Sequence, residues 1–263
     1  MSIAFFDIDG TLLAKPSLER RLFWNLRRHG KIPARNYIAW LAESLRLARP
    51  GITAATHANK MYLRGLRPET LSEYDPHSHC SLLPQFFPAA LQRIWWHTLR
   101  GDAIVLVSGT LSPLAEIVRF ALERELLWRG VEIAVSVIAT QLEVSTGRWT
   151  GRVYGTPMFA ESKARAIKEF ANPHQISLLR CSAYGDSSLD RWMLASVGHP
   201  FAVNPTRRMC AIARSHSWPM LQWTHSPLRT AGEQRDSRLS FNKQFEKGIL
   251  KAGILNRKGG SAG

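Results

Sequence analysis

The strongest constraint on the fold is a set of short apolar runs, each ending in a polar tip. Residues 2–8 are aromatic and β-branched and end in Asp7-Ile8-Asp9-Gly10-Thr11. Residues 103–107 run into Ser108-Gly109-Thr110, and residues 176–184 into Gly185-Asp186. A strand with one wet face alternates apolar and polar residues, whereas a strand covered on both faces reads as a continuous run. Between these runs, residues 18–26, 37–47, 91–99, 114–128, 162–170 and 207–216 have helical character, several with apolar spacings of three and four. Residues 131–139 and 201–203 read as further strands, and 142–154 as a hairpin turning at Ser145-Thr146-Gly147. Strands alternating with helices predict an α/β fold, a mostly parallel sheet with helices on both faces.

The 263 residues, 45% hydrophobic and 21% charged, suffice for one large domain or a domain carrying a smaller insert. No window holds about 18 consecutive apolar residues, and Asp7 and Asp9 interrupt the apolar start too early for a signal peptide. The expectation is a soluble cytoplasmic protein. Cys80, Cys181 and Cys210 are too few and too scattered for a disulfide framework or a CxxC metal site. His77 and His79 with Cys80 find no partner spacing that completes a zinc site, and Trp95-Trp96, with Trp24 and Trp40, reads as core and helix packing.

Charge is the unusual bulk property: 35 basic against 20 acidic residues give +15, which favours anionic partners, whether phosphates, nucleic acid or an acidic membrane surface. Residues 225–263 carry eight basic and three acidic side chains and read as a loosely held basic tail, with a helix near 241–252.

In an open parallel sheet, ligands bind beyond the carboxyl ends of the strands, where Asp7 and Asp9 fall. Two carboxylates two residues apart can divide labour, one attacking or binding a metal while the other moves a proton. A turn stabilised by side-chain hydrogen bonds is the bland alternative, while a calcium loop fails because Leu13, Lys15 and Leu18 stand where further oxygen ligands belong. The other strand ends add a hydroxyl and backbone N–H groups at Ser108 and Gly109, and a second acidic pair at Asp186 and Asp190. Lys163 opens a helix. Together these form a phosphoryl-transfer set, carboxylates to hold Mg²⁺ and cationic and N–H groups to neutralise phosphate. Asp186 and Asp190 also fit as caps of a helix starting near Ser187.

Taken in order, Asp7-Ile8-Asp9-Gly10-Thr11, Ser108-Gly109, Lys163 and Gly185-Asp186-Ser187-Ser188-Leu189-Asp190 resemble the four motifs of the haloacid dehalogenase superfamily. Residues 142–154 followed by Lys163, and the ending Gly-His-Pro-Phe-Ala-Val-Asn-Pro, are similar to its phosphoserine-phosphatase-like branch. The resemblance implies a Rossmann-like core over residues 1–13 and 86–223, an inserted helical cap over 14–85, and the tail from 224. It implies Asp7 as nucleophile, Asp9 as acid and base, and Ser108 and Lys163 as catalytic residues. Ile8, Gly10, Ser108, Gly109 and Lys163 would surround the phosphate. Mg²⁺ would be held by Asp7, the Asp9 carbonyl and Asp186, with Asp190 acting through water or orienting Lys163.

A second aspartate at position 9 goes with phosphatases or phosphomutases in this superfamily, and the expected activity is Mg²⁺-dependent hydrolysis of a small phosphorylated metabolite. Gly109-Thr110 replaces the double glycine of phosphoserine phosphatases, and Lys15-Pro16 precedes the first cap carboxylate, Glu19. The substrate is therefore left open among small phosphates such as phosphoserine, histidinol phosphate or a lysophospholipid headgroup. The competing readings are an inactive fold that binds nucleic acid or anionic membrane through cap and tail, and a phosphotransferase to an acceptor other than water.

Overall fold

The computed structural model describes residues 2–47, 58–68, 71, 82 and 84–224. The basic tail, the helix expected near 241–252, and His77, His79 and Cys80 lie outside the described residues. Among the described residues the strands are β1 (Ile3–Phe6), β2 (Ala103–Leu111), β3 (Ser136–Ser145), β4 (Arg148–Tyr154), β5 (Ser182–Gly185), β6 (His199–Val203) and β7 (Met220–Leu221). They form one sheet in the order β4-β3-β2-β1-β5-β6-β7. All neighbours are parallel except the β3–β4 hairpin, whose turn residues Thr146 and Gly147 both have positive φ, as a primed turn requires.

The α-helices are α1 (Leu18–Arg28), α2 (Ala34–Leu47), α3 (Pro88–Leu99), α4 (Ser112–Trp128), α5 (Glu161–Ala171), α6 (Arg191–Ala195) and α7 (Arg207–Ser215). Strand residues alternate between two cores. Ala4, Phe6, Leu106 and Tyr184 pack with buried residues of α1, α3 and α4, while Ile3, Phe5, Val105 and Ala183 pack with α5, α6 and α7. Both faces are covered, which explains the continuous apolar runs of the central strands. No helix of the described residues is long and apolar enough to cross a membrane.

Several elements differ from expectation. The strand expected over 176–184 is a 3₁₀ turn, Leu178–Arg180, followed by the four-residue β5, because only Ser182–Gly185 pairs with β1 and β6. The strand expected from Val131 begins at Ser136. Glu123 of α4 accepts the Val135 N–H, so that segment's hydrogen bonding goes to the helix before β3 joins β2. The helix expected near Ser187 begins at Arg191, and Asp190 precedes it without donating or accepting a side-chain capping bond.

Four tryptophans expected in core and helix packing are not core residues. Trp24, Trp40, Trp95 and Trp96 are all exposed, because α3 has a single inward stripe, Ala90, Leu91, Ile94 and His97, and Trp95 and Trp96 fall beside it. The guanidinium groups of Arg93 and Arg100 cover the Trp96 ring instead.

Between Leu13 and Phe86 the described residues form α1, α2 and a 3₁₀ turn, Met61–Leu63. Their entry and exit meet: Leu13 pairs with Phe86 in an antiparallel bridge, and Phe87 donates to the Leu12 carbonyl. Gly65 and Leu66 exchange hydrogen bonds with Trp149 of β4, fixing the far side of this segment to the hairpin.

Candidate active site

β1 lies at the centre of the sheet, with β2 and β3 on one side and β5 and β6 on the other, so the connections diverge at its carboxyl end. That divergence leaves a crevice, and Asp7 is the first residue beyond β1. Its N–H donates to the Tyr184 carbonyl of β5, which fixes the backbone from which the carboxylate projects. The pairing of Phe6 with Leu106 sets Ser108 of β2 one strand away, level with Ile8.

Lys163, in the first turn of α5, reaches this point from the other side of the sheet. Its Nζ is 2.6 Å from Asp7 Oδ1 and 2.6 Å from Asp190 Oδ1, and all three side chains are buried. Burial works against the ammonium, but Asp190 and Asp7 outweigh it and hold the lysine above its usual range. Asp190 is itself held: its Oδ2 accepts from the Ser187 N–H at 3.0 Å and from the Ser187 hydroxyl at 2.8 Å. Both its oxygens are thus engaged, and it anchors Lys163. Asp7 Oδ2 has only a long contact, 3.4 Å from the Thr11 hydroxyl, and is its freer oxygen.

Asp7, Asp186 and Asp190 offer carboxylate oxygens within 4.8 Å of one another. Burial, and then the other carboxylates, push the Asp7 carboxyl well above the ordinary range despite Lys163, and burial with Asp190 raises Asp186. Asp186 Oδ2 is buried and has the Lys15 ammonium 2.7 Å away as its charge partner. An all-oxygen set of three buried carboxylates fits a hard divalent cation such as Mg²⁺.

Asp9 is not one of these clustered carboxylates. Its Oδ1 accepts the Leu18 N–H at the start of α1, 2.9 Å away. Burial, opposed by that bond, raises its carboxyl to about 6, with Glu19 adding to the rise and Arg21 opposing it. Gly10 has a φ of +93°, and a Cβ there would come 2.4 Å from Asp186 Oδ2, so the turn demands glycine twice over. Ser108 is buried and its Oγ accepts from the Thr110 N–H. Gly109 lets the Met158 carbonyl approach, 3.2 Å from where a Cβ would stand.

The structure therefore brings Asp7, Lys163, Asp186 and Asp190 into direct contact or close proximity, with Ile8, Gly10, Ser108 and Gly109 on the adjoining backbone. Two residues were missed in the sequence. Lys15 reaches Asp186 because the loop after Gly10 doubles back. Thr140 of β3 donates to the Gly109 carbonyl and accepts from the Met158 N–H, tying the end of β2 to the chain that leads into α5. No sequence signal marks Lys15; Thr140 was legible only as a polar residue in an otherwise apolar stretch of 137–142 broken by Gln141.

A family model described as haloacid dehalogenase-like hydrolase matches residues 4–195. The chain is 32% identical over 234 residues to the "inhibition of morphological differentiation protein" of Streptomyces azureus, covering 86% of this chain and 79% of that one. It is 30% identical over 237 residues to a probable phosphatase of Mycobacterium tuberculosis, covering 84% and 75%. A crystal structure of a phosphoserine phosphatase without ligand shares the fold at a TM-score of 0.56 and 16% identity, covering 86% of this chain and 94% of that one.

Proposed function

The chain belongs to the haloacid dehalogenase-like hydrolases, and from that premise we propose that it is a Mg²⁺-dependent phosphatase acting on a small phosphorylated metabolite through an aspartyl-phosphate on Asp7. The observation that carries this reading is the buried Lys163, 2.6 Å from both Asp7 and Asp190, at the switch point of the sheet. A lysine so placed is buried; it offsets the charge of the attacking carboxylate and sets N–H donors beside the place where a phosphate would lie.

In the proposed reaction Asp7 Oδ2 attacks phosphorus and the bond from phosphorus to the ester oxygen breaks. Asp9 gives its proton to that leaving oxygen. Water, deprotonated by Asp9, then attacks the same phosphorus, and the bond to Asp7 breaks to release inorganic phosphate. A carboxyl raised to about 6 exchanges protons readily near neutral pH. Lys163 holds Asp7 in place and screens the phosphoryl charge, and Ser108 and the Gly109 N–H are assigned to the phosphoryl oxygens. Asp7, Asp186 and the Asp9 carbonyl would hold Mg²⁺, which when bound reduces the repulsion between a phosphate dianion and the attacking carboxylate. Asp190, with both oxygens engaged, acts by fixing Lys163.

Residues 14–85 are assigned as a cap over this crevice, hinged where Leu13 pairs with Phe86. The hydrogen bond from Leu18 to Asp9 supports this, since it links the proton carrier to the first turn of the cap. The test is hydrolysis of p-nitrophenyl phosphate with Mg²⁺ or with EDTA, in wild type, Asp7→Asn and Asp9→Asn. Turnover only with Mg²⁺, lost in Asp7→Asn and reduced by about 10²-fold or more in Asp9→Asn, is expected. Full activity in Asp7→Asn, or in EDTA, would sink the mechanism.

A further inference from the structure

Helix α2 is built inside out. Taking 100° per residue, Ala34, Ile38, Leu41, Ala42 and Leu45 fall on one stripe, and that stripe faces solvent. Ile38 is 72% exposed, Leu41 57% and Leu45 69%. The opposite face carries Asn36, whose side-chain amide donates to the Tyr62 and Arg64 carbonyls, and Glu43. A surface helix ordinarily turns its apolar stripe to the core. Here the stripe spans about 17 Å of helix with nothing of the chain's described residues over it.

The charge around the stripe is equally one-sided. Residues 20–42 hold six basic side chains and no acidic one. Arg27 and Arg28 at the end of α1, and Arg35 at the start of α2, are exposed. Glu43, the first acid after this run, is bonded by both guanidinium arms of Arg46 and contributes no net negative charge.

An exposed aliphatic stripe flanked on its own helix by Arg35, in a segment whose charges from residue 20 to 42 are all basic, has the chemistry of a surface that lies in the interface of an anionic bilayer, stripe in the acyl boundary and arginines among the headgroups. A second copy of the chain would bring Arg27, Arg28 and Arg35 against their like. Nucleic acid would satisfy the arginines but leave the aliphatic stripe in water. We propose that the exposed face of α2, with Arg27, Arg28 and Arg35, docks the protein on anionic lipid membranes. This inference concerns where the protein sits and does not rest on its being a phosphatase.

Sedimentation of the full chain with phosphatidylglycerol-containing vesicles and with phosphatidylcholine vesicles tests it, using wild type, Ile38→Ser/Leu41→Ser/Leu45→Ser and Arg27→Ala/Arg28→Ala. Wild type should bind the anionic vesicles alone. The serine variant, whose charge is unchanged, should lose about ten-fold or more in affinity, and the arginine variant about 25-fold. All five positions are exposed, and circular dichroism melts should match wild type. Failure to bind anionic vesicles overturns the proposal, as does binding that the serine variant keeps, which would locate the contact elsewhere. A wild-type dimer that the serine variant dissolves in light scattering would make the stripe a self-interface and overturn it equally. So would preference for a DNA or RNA duplex retained by the serine variant.

Discussion

Lys163 and Lys15 both meet a buried aspartate, yet only one was legible before the fold was known. Lys163 follows a strand and opens a helix within a recognisable motif order, so its spacing from Asp7 and Asp186 implied a shared site. Lys15 lies in a loop whose path depends on the positive φ of Gly10 and on Leu13 meeting Phe86, neither of which any local pattern encodes. The difference has a functional edge. Lys163 is shared between Asp7 and Asp190, while Lys15 is 58% exposed and offers its charge to Asp186, a residue assigned to Mg²⁺. An ammonium and a divalent ion compete for one carboxylate, and an ion pair with an exposed partner contributes at most about 1 kcal/mol, or roughly five-fold in binding. Lys15→Met should therefore lower the Mg²⁺ concentration needed for half-maximal p-nitrophenyl phosphate turnover by about five-fold. A higher requirement in the variant would mean that Lys15 supports the cation site instead of opposing it.

At the level of elements, periodicity identified the central strands and most helices because their burial is one- or two-sided in a regular way. It misplaced the elements whose limits are set by a partner: β5 is short because β1 is short, and β3 starts late because α4 captures Val135. Trp95 and Trp96 lie exposed for a related reason, since α3 buries a single stripe whatever the size of the side chains beside it. The same helix carries a device that no pattern showed. Buried His97 bridges Asp102 through Nδ1 and the Tyr184 hydroxyl through Nε2, each at 2.8 Å, joining α3 to the start of β2 and to β5. Tyr184 stacks between Phe6 and Phe201, so this bridge fixes the aromatic layer beneath the strand that ends at Asp186. Burial, aided by Arg93 and Arg100, lowers the His97 pKa although Asp102 opposes the shift. The folded state thus resists a proton that the unfolded chain takes up near pH 6.5. Stability supplied by the neutral ring is full above that pH and is lost as pH falls below it. His97→Gln should be less stable than wild type by about 1–3 kcal/mol at pH 7.5, through the weakened contacts to Asp102 and Tyr184. The gap should narrow on going to pH 5 in thermal melts. A gap that widens in acid would show that His97 is protonated in the fold.

For the molecule as a whole, the carboxyl ends of β1 and β5 concentrate negative charge inside a chain whose net charge is +15. The two facts are consistent on one condition. Carboxylate oxygens of Asp7, Asp186 and Asp190 lie within 4.8 Å of each other, with Lys163 shared between Asp7 and Asp190 and Lys15 facing Asp186, so two ammonium groups oppose three carboxylates. A cation bound there binds the native state far better than the unfolded chain, in which the three aspartates are scattered over 184 residues of sequence. Native-state binding stabilises by about 2.7 kcal/mol at a ligand concentration one hundred times Kd. For a chain of this size each kcal/mol moves Tm by about 2–4 °C, so Mg²⁺ at such excess should raise the melting temperature by about 5–10 °C. Asp186→Asn, which removes one of the three carboxylates, should abolish most of that rise, while Ile38→Ser on the outer face of α2 should keep it. The measurement needs no substrate and no turnover, and so separates the cation site from the chemistry built on it. A melting temperature indifferent to Mg²⁺ in wild type would leave the three aspartates as a lysine-bound structural cluster and remove the cation from the proposed reaction.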